Sequence, residues 1–300
     1  MGLPTVSCYV RGMLFLCVLL LWVPRVDAWM VKRDFNDGAI GGTRAQGTAD
    51  GFDSDAGGSY YSNEHFYEGG QAAELNISEG KTGFGIWGGV LRLPTHLKRG
   101  DEIWLRVRTY LPSGFDYDST SGGNKLKFLR VHTRSASNSN EGYNDWYITP
   151  AGFEFQGMPY PFAYIGEFQQ RWVFFGDSSV AWPNFDQWGN YEMYIKLDNQ
   201  SSDEGGSGTI RMWENGKLLV NITNRQTLKG VDSYVDRVHI FTYWNGGAPK
   251  TEKMWIDDVV ITNETPGLVD GMGNPYIGAE KEVAADGRPL PSPVQDLIVH

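Results

Sequence analysis

Several stretches of this chain alternate arginine, histidine and tyrosine with aliphatic residues, a pattern that can gather reactive side chains on one surface. In Lys125 to Arg134 (KLKFLRVHTR), Leu129 and Val131 occupy one phase, and Phe128, Arg130, His132 and Arg134 the other. In Arg237 to Trp244 (RVHIFTYW), His239 and Tyr243 share a phase offset from Val238, Ile240 and Thr242. In Glu102 to Leu111 (EIWLRVRTYL), Trp104, Arg106, Arg108 and Tyr110 oppose Ile103, Leu105, Val107 and Thr109. In Tyr191 to Leu197, Glu192, Tyr194 and Lys196 oppose Tyr191, Met193, Ile195 and Leu197. A face with cations, hydrogen-bond donors and aromatic rings suits a sugar, whose C–H faces stack on rings and whose hydroxyls bond to polar groups. If the sugar is a uronic acid, the arginines also match its carboxylate bidentately. The same alternation fits a solvated outer sheet face.

The elements that would hold these residues are strands. Segments of strand length, separated by Gly, Asn, Asp and Pro clusters, run from Tyr60 to Thr262; others are Trp146 to Thr149, Arg171 to Phe175, Thr209 to Trp213, Lys217 to Ile222 and Met254 to Ile261. Glu214-Asn215-Gly216 is a hairpin signal. The 11 Trp, 15 Tyr and 15 Phe, with 38 Gly and few long apolar runs, point to an all-β chain. Neither a helical stripe nor a fixed repeat is found, which argues against bundles, propellers and solenoids. About a dozen strands in one domain require two stacked sheets, a β-sandwich of jelly-roll type. The domain is expected over residues 29–265. Residues 266–300 lose the pattern and read as a partly irregular tail.

Residues 1–28 have the layout of a secretory signal peptide: Arg11, then the apolar run Met13 to Val23, then Val26-Asp27-Ala28 before a cleavage point. Both cysteines, Cys8 and Cys17, fall inside it, so the exported chain would lack disulfides, thiolate metal sites and cysteine nucleophiles. A net charge of −10 argues against nucleic acid as a partner. The expectation is a secreted monomer, extracellular or periplasmic, with no membrane span after cleavage.

Further residues carry a family resemblance. Trp188-Gly189-Asn190-Tyr191-Glu192, then Gly208 through Trp213-Glu214-Asn215-Gly216-Lys217, then Trp255-Ile256-Asp257-Asp258-Val259-Val260 resemble secreted polysaccharide lyases with a concanavalin A-like jelly roll. These include the heparin-lyase-I-like and alginate/glucuronan lyase groups. Asp34 to Gly38, and Trp87-Gly88-Gly89 with Leu93-Pro94, fit the same pattern. The resemblance covers residues 34 to 262 and implies β-elimination on an acidic glycan. One group neutralises the uronate carboxylate, a base takes the neighbouring proton, and an acid protonates the leaving oxygen. Such alginate lyases carry Gln-x-His on one groove strand and a Tyr/Lys strand near the C-terminus. Here Arg130-Val131-His132 stands in the first place, with Arg for Gln, and Arg237 to Trp244 in the second, without the Lys. These departures keep the family mechanism from transferring residue by residue; the expectation for this chain is His132 as base, Tyr243 as proton donor or shared acid/base, and Arg130 as carboxylate clamp. Asn124, Arg108, Tyr194, Trp104, Lys127 and His239 would be substrate-binding residues.

The alternatives are a non-catalytic, lectin-like carbohydrate-binding module on the same scaffold, and a glycoside hydrolase. A hydrolase needs two paired carboxylates. No E-x-D-x-x-E run occurs, and Glu154, Glu167 and Glu192 are scattered. No cofactor is required by any of these readings. A structural calcium ion joining the first strand to the last would use Asp37 and Asp258, with Asp34 and Asp257 nearby; the same aspartates could equally cap turns.

Overall fold

The computed structural model describes residues 27–82, 84–116, 126–139, 141–148, 162–165, 171–174, 185–200 and 206–278, with backbone alone at 147–148, 162–165 and 171–174. The leader up to residue 26, Asn124, Glu154 and Glu167 lie outside the described residues. In chain order the first strands are β1 Met30–Arg33, β2 Ser59–Ser62, β3 Ala72–Ile77, β4 Gly89–Leu97, β5 Glu102–Tyr110, β6 Leu126–Arg134, β7 Gly142–Ile148 and β8 Phe162–Ile165. There follow β9 Arg171–Phe174, β10 Trp188–Lys196, β11 Gly208–Glu214, β12 Lys217–Arg225, β13 Tyr234–Trp244, β14 Glu252–Thr262, β15 Leu268–Val269 and β16 Pro275–Tyr276. Among the described residues there is no helix.

Two sheets form the sandwich. The larger has the order β12-β11-β10-β5-β14-β3-β2, with β1 added beside β14, and the smaller has the order β4-β13-β6-β7-β8-β9. Between them lies one apolar core. Ile103, Leu105, Val107, Met193 and Ile195 contribute from the larger sheet; Leu129, Val131, Val238 and Ile240 from the smaller. The expected alternation in β5, β10 and β13 thus sends the aliphatic phase inward, as burial of apolar area requires. The Asn215-Gly216 turn closes β11 onto β12 with φ of 49° and 79°, the left-handed pair a two-residue hairpin needs.

Strict alternation fails in two places that matter. Phe128, expected outside, is fully buried against Trp146, Tyr191 and Phe241 at ring separations of 5.3, 5.2 and 4.5 Å. The register of β6 on β7 shifts between Lys127 and Leu129, and that of β13 on β6 between Ile240 and Tyr243, where Phe241 has φ 51°. These bulges turn Phe128 and Phe241 into the core while Lys127 and Tyr243 stand together outside. In β14 a shift between Asp257 and Val260, with Asp258 at φ 45°, puts both aspartates on the outer face. The alternation of the sequence would have separated them.

After Pro266 the chain forms the β15–β16 pair, which lies on the outer face of the larger sheet. Trp104 Nε1 donates to Pro275 O (3.1 Å) and Trp213 Nε1 to Asp270 Oδ2 (2.9 Å).

Candidate active site

On the outer face of the smaller sheet, register brings the reactive residues into transverse rows. Arg92 pairs with Arg237, Arg237 with His132, and His132 with Tyr143 across β4, β13, β6 and β7. The next row is Val90, His239, Arg130 and Asp145. Side chains opposite one another on antiparallel strands approach within contact range, so residues from four distant segments meet here.

The contacts are close. The His132 ring stacks on Tyr143 at 4.7 Å and meets His239 edge-on at 5.3 Å. Arg130 Cζ lies 3.3 Å over the Tyr143 ring, and its Nε donates to Asp145 Oδ1 at 2.7 Å. Lys127 Nζ sits 4.3 Å over the Tyr243 ring. Phe84 roofs the cluster, 4.9 Å from Tyr243, 5.6 Å from His239 and 5.2 Å from Arg130 Cζ, while 43% of it remains exposed. Its segment runs tight against the β13 bulge. A Cβ on Gly88 would stand 2.2 Å from the Ile240 carbonyl oxygen, so only glycine fits there.

Electrostatics separates His239 from an ordinary surface histidine. Burial, then the charges of His132, Arg130 and Arg237, push the His239 pKa well below the usual imidazole value. His239 is therefore neutral, and neither ring nitrogen has a hydrogen-bond partner among the described residues. Further along, Arg134 and Arg237 both reach Asp236 at 2.8 Å. Burial alone would raise Asp236, but the two guanidiniums more than offset it and hold its carboxyl below the usual value. The face thus collects five long cationic side chains, Arg92, Lys127, Arg130, Arg134 and Arg237, in a chain that is acidic overall.

The sequence-expected set is only partly brought together. Arg130, His132, His239, Tyr243 and Lys127 share this face. Arg108, Trp104 and Tyr194 do not: β5 and β10 belong to the larger sheet, and alternation carries no information about which sheet a strand joins. Arg108 Nε binds Asp258 Oδ2 at 2.8 Å, and Trp104 packs on Tyr194 at 4.8 Å beside the C-terminal segment. The two aspartates of the calcium expectation have protein partners. The Asp258 oxygens go to Arg106 and Arg108, and those of Asp37 to Tyr61 Oη and the Asp50 amide. Two guanidiniums would have to give way to a cation, so this donor set does not fit the metal. Among the described residues no group of three or more His, Cys, Asp or Glu could hold one.

Sequence reasoning missed Tyr143, Asp145 and Phe84. The strand signal was read from Trp146 onward, which left the Gly-Tyr-Asn-Asp half of β7 unassigned. A lone aromatic between Gly83 and Gly85 was the available hint of Phe84.

No family model matches the sequence, and no curated protein does. Among solved structures, alginate lyase Aly36B superposes with a TM-score of 0.52 at 15% identity, over 77% of this chain and 96% of that one. A double mutant of the same enzyme in complex with an alginate tetrasaccharide gives 0.51, with the same identity and coverage. An endo-beta-1,4-glucuronan lyase from the fungus Trichoderma reesei matches at 0.44 and 13% identity, over 68% of this chain and 85% of that one. The fold is therefore the all-β jelly roll found in alginate lyase Aly36B.

Proposed function

We propose that this protein is an exported polysaccharide lyase that cleaves a uronic-acid-containing glycan by β-elimination on the outer face of the smaller sheet. The observation that carries the reading is the convergence of Arg130, His132, His239, Tyr143 and Tyr243, from three strands, under one exposed aromatic ring. In this reading Arg130, held in place by Asp145, faces the uronate carboxylate and stabilises the charge that builds as the adjacent C–H is lost. His132 takes that proton, and Tyr243 protonates the departing glycosidic oxygen. His239 stays neutral and adds no positive charge beside the base, yet can hydrogen-bond a hydroxyl. The cations Arg92, Arg134 and Arg237 extend the face for flanking uronates, which supports an anionic substrate despite the net charge of −10. Export rests on the leader pattern of residues 1–28, and the jelly-roll neighbours support a polysaccharide as partner.

The test is incubation with alginate and with glucuronan, following the absorbance of the unsaturated product. His132→Ala should lower the rate about 10²–10⁴-fold, the usual contribution of a positioned general base, while the polymer still binds. Binding without cleavage by the wild-type protein would leave a lectin-like module instead. Full activity in His132→Ala would remove the assigned base.

A further inference from the structure

The larger sheet carries a row of its own. Register places Trp188 opposite Tyr110, Tyr110 opposite Trp255, Trp255 opposite Glu74 and Glu74 opposite Tyr60, across β10, β5, β14, β3 and β2. Four steps between neighbouring strands at about 4.8 Å give a straight line of roughly 19 Å. The rings are in mutual contact at one end: Tyr110 lies 5.7 Å from Trp188 and 5.9 Å from Trp255, and His65 stacks on Tyr110 at 4.1 Å. At the other end the row runs into a cavity of about 290 Å³ lined by Ile40, Gly41, Gly42, Tyr60, Ser62 and Glu74. Trp188, Tyr110, Tyr60 and His65 are half-buried. Trp255, beneath His65, is 3% exposed, and its indole N–H makes no hydrogen bond among the described residues.

From this row we infer a second glycan-binding site, non-catalytic, for a neutral β-1,4-linked pyranose chain. Half-buried rings at both ends of the row, Trp188, Tyr110 and His65 at one and Tyr60 at the other, match an extended chain whose flat C–H faces recur along its length. The charges choose neutral over anionic. Lys253 is held between Glu74 at 3.0 Å and Glu64 at 3.5 Å, while Glu64, Glu68 and Asp186 stand exposed around the row. A polyuronate would meet like charge here, whereas hydroxyls can donate to these carboxylates. The smaller sheet presents the opposite case, with arginines at the corresponding depth. The inference does not rest on the lyase reading, because none of these residues belongs to the His132 face.

The experiment is titration calorimetry with cellohexaose and, separately, with an alginate hexasaccharide. Wild type and His132→Ala should bind cellohexaose equally. Trp188→Ala and Tyr60→Ala, at opposite ends of the row, should each weaken that binding at least 10-fold with thermal unfolding unchanged. Using both ends guards against one variant that fails to fold. No binding of cellohexaose, unchanged binding in both variants, or alginate hexasaccharide bound more weakly by Trp188→Ala than by wild type would each overturn the site. So would a wild-type dimer in sedimentation that Trp188→Ala abolishes, since a second copy would then occupy the row. Cleavage of alginate, followed in parallel, reports on the His132 face alone.

Discussion

The molecule carries two outward faces built from the same materials, and they differ in what closes over them. On the smaller sheet Arg130 pairs with Asp145 and lies over Tyr143, with two histidines alongside. On the larger sheet Arg106 and Arg108 pair with Asp258, and Arg108 lies 3.7 Å over Tyr67. Part of the second face, over Trp104 and Arg106 of β5, Glu192 of β10 and Trp213 of β11, is however claimed by the chain itself. Ile277 N and Gly278 N donate to the Glu192 carboxylate at 2.7 and 2.9 Å, and Arg106 Nη1 donates to Gly278 O at 2.8 Å. Buried charges that exchange hydrogen bonds with a backbone strap anchor structure. In the proposed lyase, buried charges beside a neutral histidine and an exposed ring are placed for chemistry.

That contrast can be broken most sharply by exchanging the damage. Arg106→Ala leaves Asp258 and Glu192 buried beside a lost cation. It should cost about 3–5 kcal/mol of stability, the usual penalty for breaking a buried pair. Urea unfolding measures it, and activity per folded molecule should not change. His132→Ala should do the reverse. Stability loss in both, or activity loss in both, would merge the two faces into one role. The strap itself comes next. Deleting residues 267–300 uncovers Trp104 and Trp213 and removes the Gly278 carbonyl from Arg106 and the Ile277 and Gly278 amides from Glu192, leaving Asp258 and Asn190 as their partners. The expected loss is about 2–3 kcal/mol from apolar exposure and charged hydrogen bonds. An unchanged urea midpoint would mean the strap only rests on the sheet.

How far the two faces were legible beforehand follows from the same physics. The inward aliphatic phases of β5, β10 and β13, and the Asn215-Gly216 turn, were readable because period-2 burial and positive φ are local properties. The all-β sandwich was readable for that reason too. Which sheet a strand joins is not local, so Arg108, Trp104 and Tyr194 were grouped with His132 although they lie on the opposite side. Bulges are also nearly silent in sequence. Phe128 looked outward and Asp257 and Asp258 looked divided, because one extra residue reverses the phase downstream. Asp145 had no signal at all until β6 and β7 were paired, since its meaning lies in Arg130.

The smallest expected effect concerns the anchored face and the sign of its response to pH. Burial is the main reason the Asp257 pKa is raised, to about 7, and the neighbouring Asp258 charge adds to it. Amide donation from Tyr67, Asp258 and Glu68 only partly offsets these. In the unfolded chain the group has an ordinary value near 3.9. Between about pH 4 and pH 7 the folded protein therefore holds a proton that the unfolded chain has lost, so this group's contribution to stability falls as pH rises through that window and is flat above it. His239 acts oppositely on the other face. Its lowered pKa means the unfolded chain binds the proton first, and stability falls as pH drops below about 6.5. Asp257→Asn keeps an oxygen for the Tyr67 amide and removes the titration. Its Tm relative to wild type should climb from pH 4 to pH 7 and then level, by on the order of 3 °C for each 1 kcal/mol in a domain of this size. A difference that is constant with pH would show that Asp257 is already ionised in the folded state. The anchored face would then hold two adjacent carboxylates against Arg106 and Arg108, a balanced cluster closer in kind to the Asp236 pairing on the smaller sheet.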